Sequence, residues 1–105
     1  NKISFLDTVP NIPIGVCDGF EFAEQRVMLP KESALLVYTD GLTEAENNQC
    51  ELLGNERVLE DLSHLDCLSA RNIVERMTKL VTAFAGEAQQ SDDLTLLCVR
   101  LTNNI

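Results

Sequence analysis

Basic charge is scarce in this chain. Eight lysines and arginines stand against 17 aspartates and glutamates among 105 residues, a net charge of −9. Nucleic acid and anionic membranes both require a basic surface, so neither is expected as the main partner. The balance suits a protein that binds cations or a basic patch on a partner, and it also serves plain solubility. Histidine is nearly missing, with His64 the single one. None of the four cysteines, Cys17, Cys50, Cys67 and Cys98, forms a C-x-x-C pair. The ligand spacing of a zinc site is therefore lacking. Reduced thiols in a cytoplasmic protein are expected, since no secretory leader is visible, and Cys98 reads as buried within an apolar run. No apolar run approaches the ~20 residues of a membrane-spanning helix, so no membrane contact is expected from this segment. Neither a G-x-x-x-x-G-K loop nor a G-x-G-x-x-G occurs, which leaves ATP or dinucleotide binding unsupported. No Cys/His or Ser/His/Asp set offers a protein nucleophile. The chain opens on Asn1 rather than methionine and reads as part of something longer.

Hydrophobic residues make up 45% of the chain, enough for a packed core. The length fits one small domain or part of a larger one. The organising stretch is residues 34–46, ALLVYTDGLTEAE. An apolar strand over residues 34–39 stops at Asp40-Gly41. That arrangement delivers a carboxylate to the rim of a sheet, and the glycine frees the backbone to turn or to approach a ligand closely. Hard cations prefer such oxygen ligands. Asp-Gly is also a common turn pair, so the motif alone decides nothing.

Residues 1–19 read as an irregular approach with an extended piece at residues 14–16 and a turn at Asp18-Gly19. Residues 20–29 read as a strand, with Phe20, Phe22 and Glu24 on one face and Ala23, Val27 and Leu29 on the other. The turn at residues 30–33 would join it to the central strand as an antiparallel hairpin. Thr43 could cap a short helical turn holding Glu44, Ala45 and Glu46, although a solvated acidic loop is the favoured reading. Val58, Leu59, Leu62 and Leu65 recur at helical spacing over residues 54–65. His64 stands beside that stripe without a partner residue and reads as a surface group. Ser69 is the expected N-cap of a second helix running to about Ala85, with Gly86 as its terminator. Asp92-Asp93 then precede a strand over residues 94–101, apolar on both faces and so read as covered on both sides. The order strand, strand, helix, helix, strand gives an α+β fold, mainly antiparallel, with two amphipathic helices packed on the sheet. Strands apolar on both sides suggest a second layer that this chain need not itself contain.

If the strands of residues 34–39 and 94–101 are antiparallel neighbours, Asp40 meets Asp92 and Asp93 at one sheet edge. Like charges that close repel unless a proton or cation sits between them. A divalent cation is the economical solution, and it would activate water to attack a phosphoryl group without a protein nucleophile.

The series Pro13-Ile14-Gly15-Val16, Leu35-Leu36-Val37-Tyr38-Thr39-Asp40-Gly41-Leu42-Thr43-Glu44-Ala45, Leu53-Gly54-Asn55-Glu56-Arg57 and Ser91-Asp92-Asp93-Leu94-Thr95-Leu96-Leu97 resembles the C-terminal half of a SpoIIE/RsbU-type serine/threonine phosphatase. That is the bacterial branch of the PPM, or protein phosphatase 2C-like, family. The resemblance runs from about Phe5 to Leu101. It implies an α/β/β/α sandwich in the complete domain, with a two-metal Mn²⁺ or Mg²⁺ centre and metal-bound water as the nucleophile. By motif match Asp40 and Asp92 would be metal ligands, Asp93 a secondary position beside them, and Gly41 the shaper of the turn. The implied substrate is a phosphorylated STAS-domain anti-sigma-factor antagonist, whose dephosphorylation controls a sigma factor. Where the family's turn before the central strand carries Gly-Asp, this chain has Glu32-Ser33. The family's upstream Asp-Gly, whose aspartate bridges both metals, has no counterpart here, because Asp18-Gly19 lies on the wrong segment. Little activity is therefore expected of residues 1–105 alone, and the missing sheet layer invites dimerisation or strand exchange. The competing expectation is a catalytically degenerate, phosphatase-like module that only binds a partner.

Overall fold

The computed structural model describes residues 2–88 and 93–102. Five elements follow one another: β1 (Ala34–Tyr38), α1 (Asp40–Thr43), α2 (Gly54–Ser63), α3 (Ala70–Ala85) and β2 (Leu96–Arg100). The fold is α+β, as the sequence indicates. β1 and β2 pair antiparallel, with Leu36 opposite Cys98 and Tyr38 opposite Leu96. The two-residue period of a strand sends Ala34, Leu36 and Tyr38 of β1, with Leu96 and Cys98 of β2, to one face. That face packs on a core of Leu42, Ala45, Leu53, Val58, Leu62, Ile73 and Met77. Burial pushes the Cys98 thiol and the Tyr38 phenol above their ordinary pKa values. All four cysteines are free thiols.

The helices form where their apolar spacing predicts. Val58 and Leu62 of α2, and Ile73 and Met77 of α3, are buried one helical turn apart. The Ser69 hydroxyl accepts the Asn72 N–H at 3.1 Å, the expected N-cap. Gly86 ends α3 with φ +59, a left-handed conformation that favours glycine, and its N–H donates to the Thr82 carbonyl at 3.1 Å. Arg76 of α3 grips Asp61 of α2 through two bonds, 2.8 and 3.0 Å long. The Arg57 guanidinium lies over the Phe84 ring, 4.8 Å from its centre.

Three expectations need correction. Residues 20–29 form no strand and no hairpin with β1. Their apolar alternation is real, but Phe22 and Val27 remain 48% and 46% exposed, so the described chain offers them no covering layer. Side-chain amides take the place of a backbone ladder. Asn11 donates to the Ala23 carbonyl and accepts its N–H, and Gln25 accepts the Val9 N–H. Second, Thr43 closes α1 instead of opening a helix. The acidic loop after it is a tight hairpin, bridged at Glu46 and Leu52, in which the Asn47 side chain accepts the N–H groups of Gln49 and Glu51. Third, among the described residues β2 is covered on one face only. Val37, Leu97 and Val99 on the other face are 51%, 59% and 44% exposed.

The Glu32-Ser33 departure from the family pattern is visible in the turn itself. Ser33 N–H donates to the Pro30 carbonyl, and Glu32 sits at φ +63, where a glycine would carry no steric cost.

Met77 is wholly buried. Met77→Ala should lower the unfolding free energy by about 2–5 kcal/mol, read from denaturant melts. Leu97→Ala on the open face should change it by less than about 0.5 kcal/mol at dilutions where the chain is monomeric. A comparable loss in both would mean that the open face is covered in solution.

Candidate metal centre

The site grows out of the way β1 ends. Beyond Tyr38 the ladder runs one residue further, with Thr39 N–H donating to the Thr95 carbonyl at 3.1 Å. Thr39 is extended (φ −90, ψ 170), and the chain then bends into the short α1. Leu42 N–H donates to the Thr39 carbonyl at 3.1 Å and Glu44 N–H to the Asp40 carbonyl at 2.8 Å. Leu42 is fully buried and fixes this turn to the core. Asp40 is left exposed at the rim of the sheet.

On the facing segment, residues 93–95 lead into β2. A Cβ on Gly41 would fall 2.2 Å from the Asp93 carbonyl oxygen, 2.7 Å from its carbon and 3.0 Å from the Leu94 Cα. No side chain fits there, so the two backbones touch only because residue 41 is glycine. Asp40-Gly41 and Asp93 are thereby brought together from distant parts of the chain. Of the residues singled out by the motif match, Asp40, Gly41 and Asp93 lie at this junction. Asp92 lies outside the described residues.

Asp40 and Asp93 offer carboxylate oxygens, the donor type that a hard divalent cation takes. Among the described residues, this junction included, no group of three or more His, Cys, Asp or Glu side chains that could hold a metal ion is present. Asp18-Gly19 is an exposed turn with Gly19 at φ +74. His64 is exposed just past the end of α2, where its backbone N–H donates to the Asp61 carbonyl. A groove of about 540 Å³ opens between residues 2–6, β1 and α2, and neither Asp40 nor Asp93 lines it.

Sequence reasoning missed Thr39. Its hydroxyl donates to the Asp93 carbonyl at 3.3 Å and accepts the Thr95 N–H at 3.1 Å. The one signal was a hydroxyl side chain at a strand end directly before Asp-Gly. Such residues form local hydrogen bonds so readily, however, that the signal names no distant partner.

Gly41→Ala isolates the close approach. In an ordinary helical turn this change would be worth up to about 1 kcal/mol in favour of the fold. Here the added methyl meets backbone that cannot rotate away, and overpacking costs about 1–3 kcal/mol. The variant should therefore be less stable than the parent in denaturant melts, with amide shifts concentrated at residues 93–95.

Comparison with known proteins adds one match. The family model for stage II sporulation protein E (SpoIIE) matches residues 1–102. No curated protein and no solved structure matches the chain. With nearly every residue inside that match, and with the Asp40-Gly41 turn seated on the Asp93 backbone, the chain belongs to the SpoIIE family of PPM-type phosphatase domains.

Proposed function

We propose that the chain serves a metal-dependent protein serine/threonine phosphatase, as the C-terminal half of its catalytic domain. The observation that carries this reading is the contact of the Asp40-Gly41 turn with the Asp93 backbone. It joins the two acidic motifs at one end of a β-pair, where a phosphoryl group could be met by a cation. Asp40 and Asp92 would hold Mn²⁺ or Mg²⁺, with Asp93 in a secondary position beside them. When bound, such a cation acidifies a water and clamps phosphoryl oxygens. The chain's own part is to orient carboxylates. Gly41 lets the backbones close, and the buried Leu42 holds the turn still. The open face of β1 and β2 supports the half-domain reading, since a second layer would bury Val37, Leu97 and Val99. Until it is covered, that face also favours a homodimer.

The substrate in this reading is a phosphoserine or phosphothreonine on a STAS-domain anti-sigma-factor antagonist, in cytoplasmic signalling. The net charge of −9 agrees with a partner other than nucleic acid. Among the described residues no helix is long and apolar enough to cross a membrane.

The second reading is a degenerate binding module. It is favoured by the lack of a third ligand among the described residues. Mn²⁺ titration calorimetry on the chain and on Asp40→Asn separates the two. Saturable binding that the variant loses supports the metal-dependent reading. No binding in either means that the upstream half supplies the decisive ligand or that the carboxylates do not converge. The same titration on a longer protein carrying the upstream Asp-Gly separates those cases, its failure there favouring the binding module. Residues 1–105 alone should turn over little p-nitrophenyl phosphate. In a longer protein that carries the upstream Asp-Gly, Asp40→Asn should lower Mn²⁺-dependent kcat by about 100-fold or more, because the cation supplies several kcal/mol of charge stabilisation. Sedimentation of the chain should give a dimer mass, and a clean monomer would remove the homodimer from the proposal.

A further inference from the structure

We infer that Thr39 is the positioning residue of this centre, its hydroxyl fixing the segment that carries Asp93 against the turn that carries Asp40. The inference rests on the metal-dependent reading above. Thr39 occupies the N-cap position of α1, where a threonine hydroxyl ordinarily accepts an N–H from the first turn of the helix. It makes no such bond here. Instead it reaches across to the other strand, accepting the Thr95 N–H at 3.1 Å and donating to the Asp93 carbonyl at 3.3 Å. Its own backbone N–H donates to the Thr95 carbonyl at 3.1 Å. Three bonds thus run from one residue to one short segment.

The Asp93 carbonyl is the atom that matters most. It accepts the Thr39 hydroxyl, and it fills the space that a side chain at residue 41 would need. Thr39 precedes Asp40 directly, and Asp93 owns the clamped carbonyl. The hydroxyl therefore sets the separation of the backbones from which the two carboxylates extend. A hydroxyl donates and accepts from a single atom, so serine or threonine can make this pair of bonds while valine or alanine cannot. Thr39 is exposed, so core packing does not account for it.

Four variants test this role. Thr39→Val keeps the shape and loses both side-chain bonds, and Thr39→Ser keeps both. Thr39→Ala loses them without branching, should the valine variant not fold. Ser69→Ala removes a helix cap on α3, a hydrogen bond of similar kind placed on another element. Two readouts are followed: hydrogen exchange of the Thr95 amide, and Mn²⁺-induced paramagnetic broadening of the Gly41 and Leu94 amides. Thr39→Val should speed Thr95 exchange about tenfold and raise the Mn²⁺ concentration for half-broadening by about tenfold or more, the scale of losing a residue that orients a ligand. Thr39→Ser should restore both, and Ser69→Ala should move neither. An unchanged Mn²⁺ response in Thr39→Val, no restoration by serine, or an equal loss in Ser69→Ala would each overturn the positioning role while leaving the metal reading standing. The Mn²⁺ readout is taken in the longer protein that carries the upstream Asp-Gly, and absence of broadening in that parent at millimolar Mn²⁺ would instead overturn the metal reading, and this inference with it.

Discussion

The backbone contact between Gly41 and Asp93 is the constraint on which the arrangement depends. It joins two stretches far apart in the chain, and the neighbouring Thr39–Thr95 bond spans 56 positions. Closing so long a loop costs conformational entropy before any contact repays it. The repayment comes from what lies between. α2 and α3 bury one stripe each, and together with Leu42 they give the sheet a surface to lie on. The sheet brings the ends together, and the core beneath it holds the sheet.

Electrostatics pull the other way. Asp40 and Asp93 extend from backbones in contact, on a chain with a net charge of −9. Carboxylate oxygens are the donors that a hard divalent cation takes. A fold that only needed stability would gain nothing from acidic residues at such a junction.

Much of this was legible in the residues. The stripes of α2 and α3 and the caps at Ser69 and Gly86 follow from short-range rules that act within a turn or two. The antiparallel relation of β1 and β2 was the condition for bringing the acidic motifs together, and the register meets it. Residues 20–29 carry the alternation of a strand without forming one, because alternation records what a segment could bury. Whether a partner layer is present is a separate matter, and the described chain leaves Phe22 and Val27 exposed. Thr43 shows the same kind of ambiguity, since Thr39, four residues earlier, stands at the start of the helix that Thr43 closes.

The sequence by itself determined the element types, the acidic character and the two motifs that mark the SpoIIE family, because periodicity, charge and motif spacing are local properties of the chain. Only the tertiary structure decided that Gly41 must be glycine, that Thr39 turns from its helix to the opposite strand, and which sheet face stays open. Those depend on what arrives from elsewhere in the chain, and a residue does not encode its distant neighbour's position.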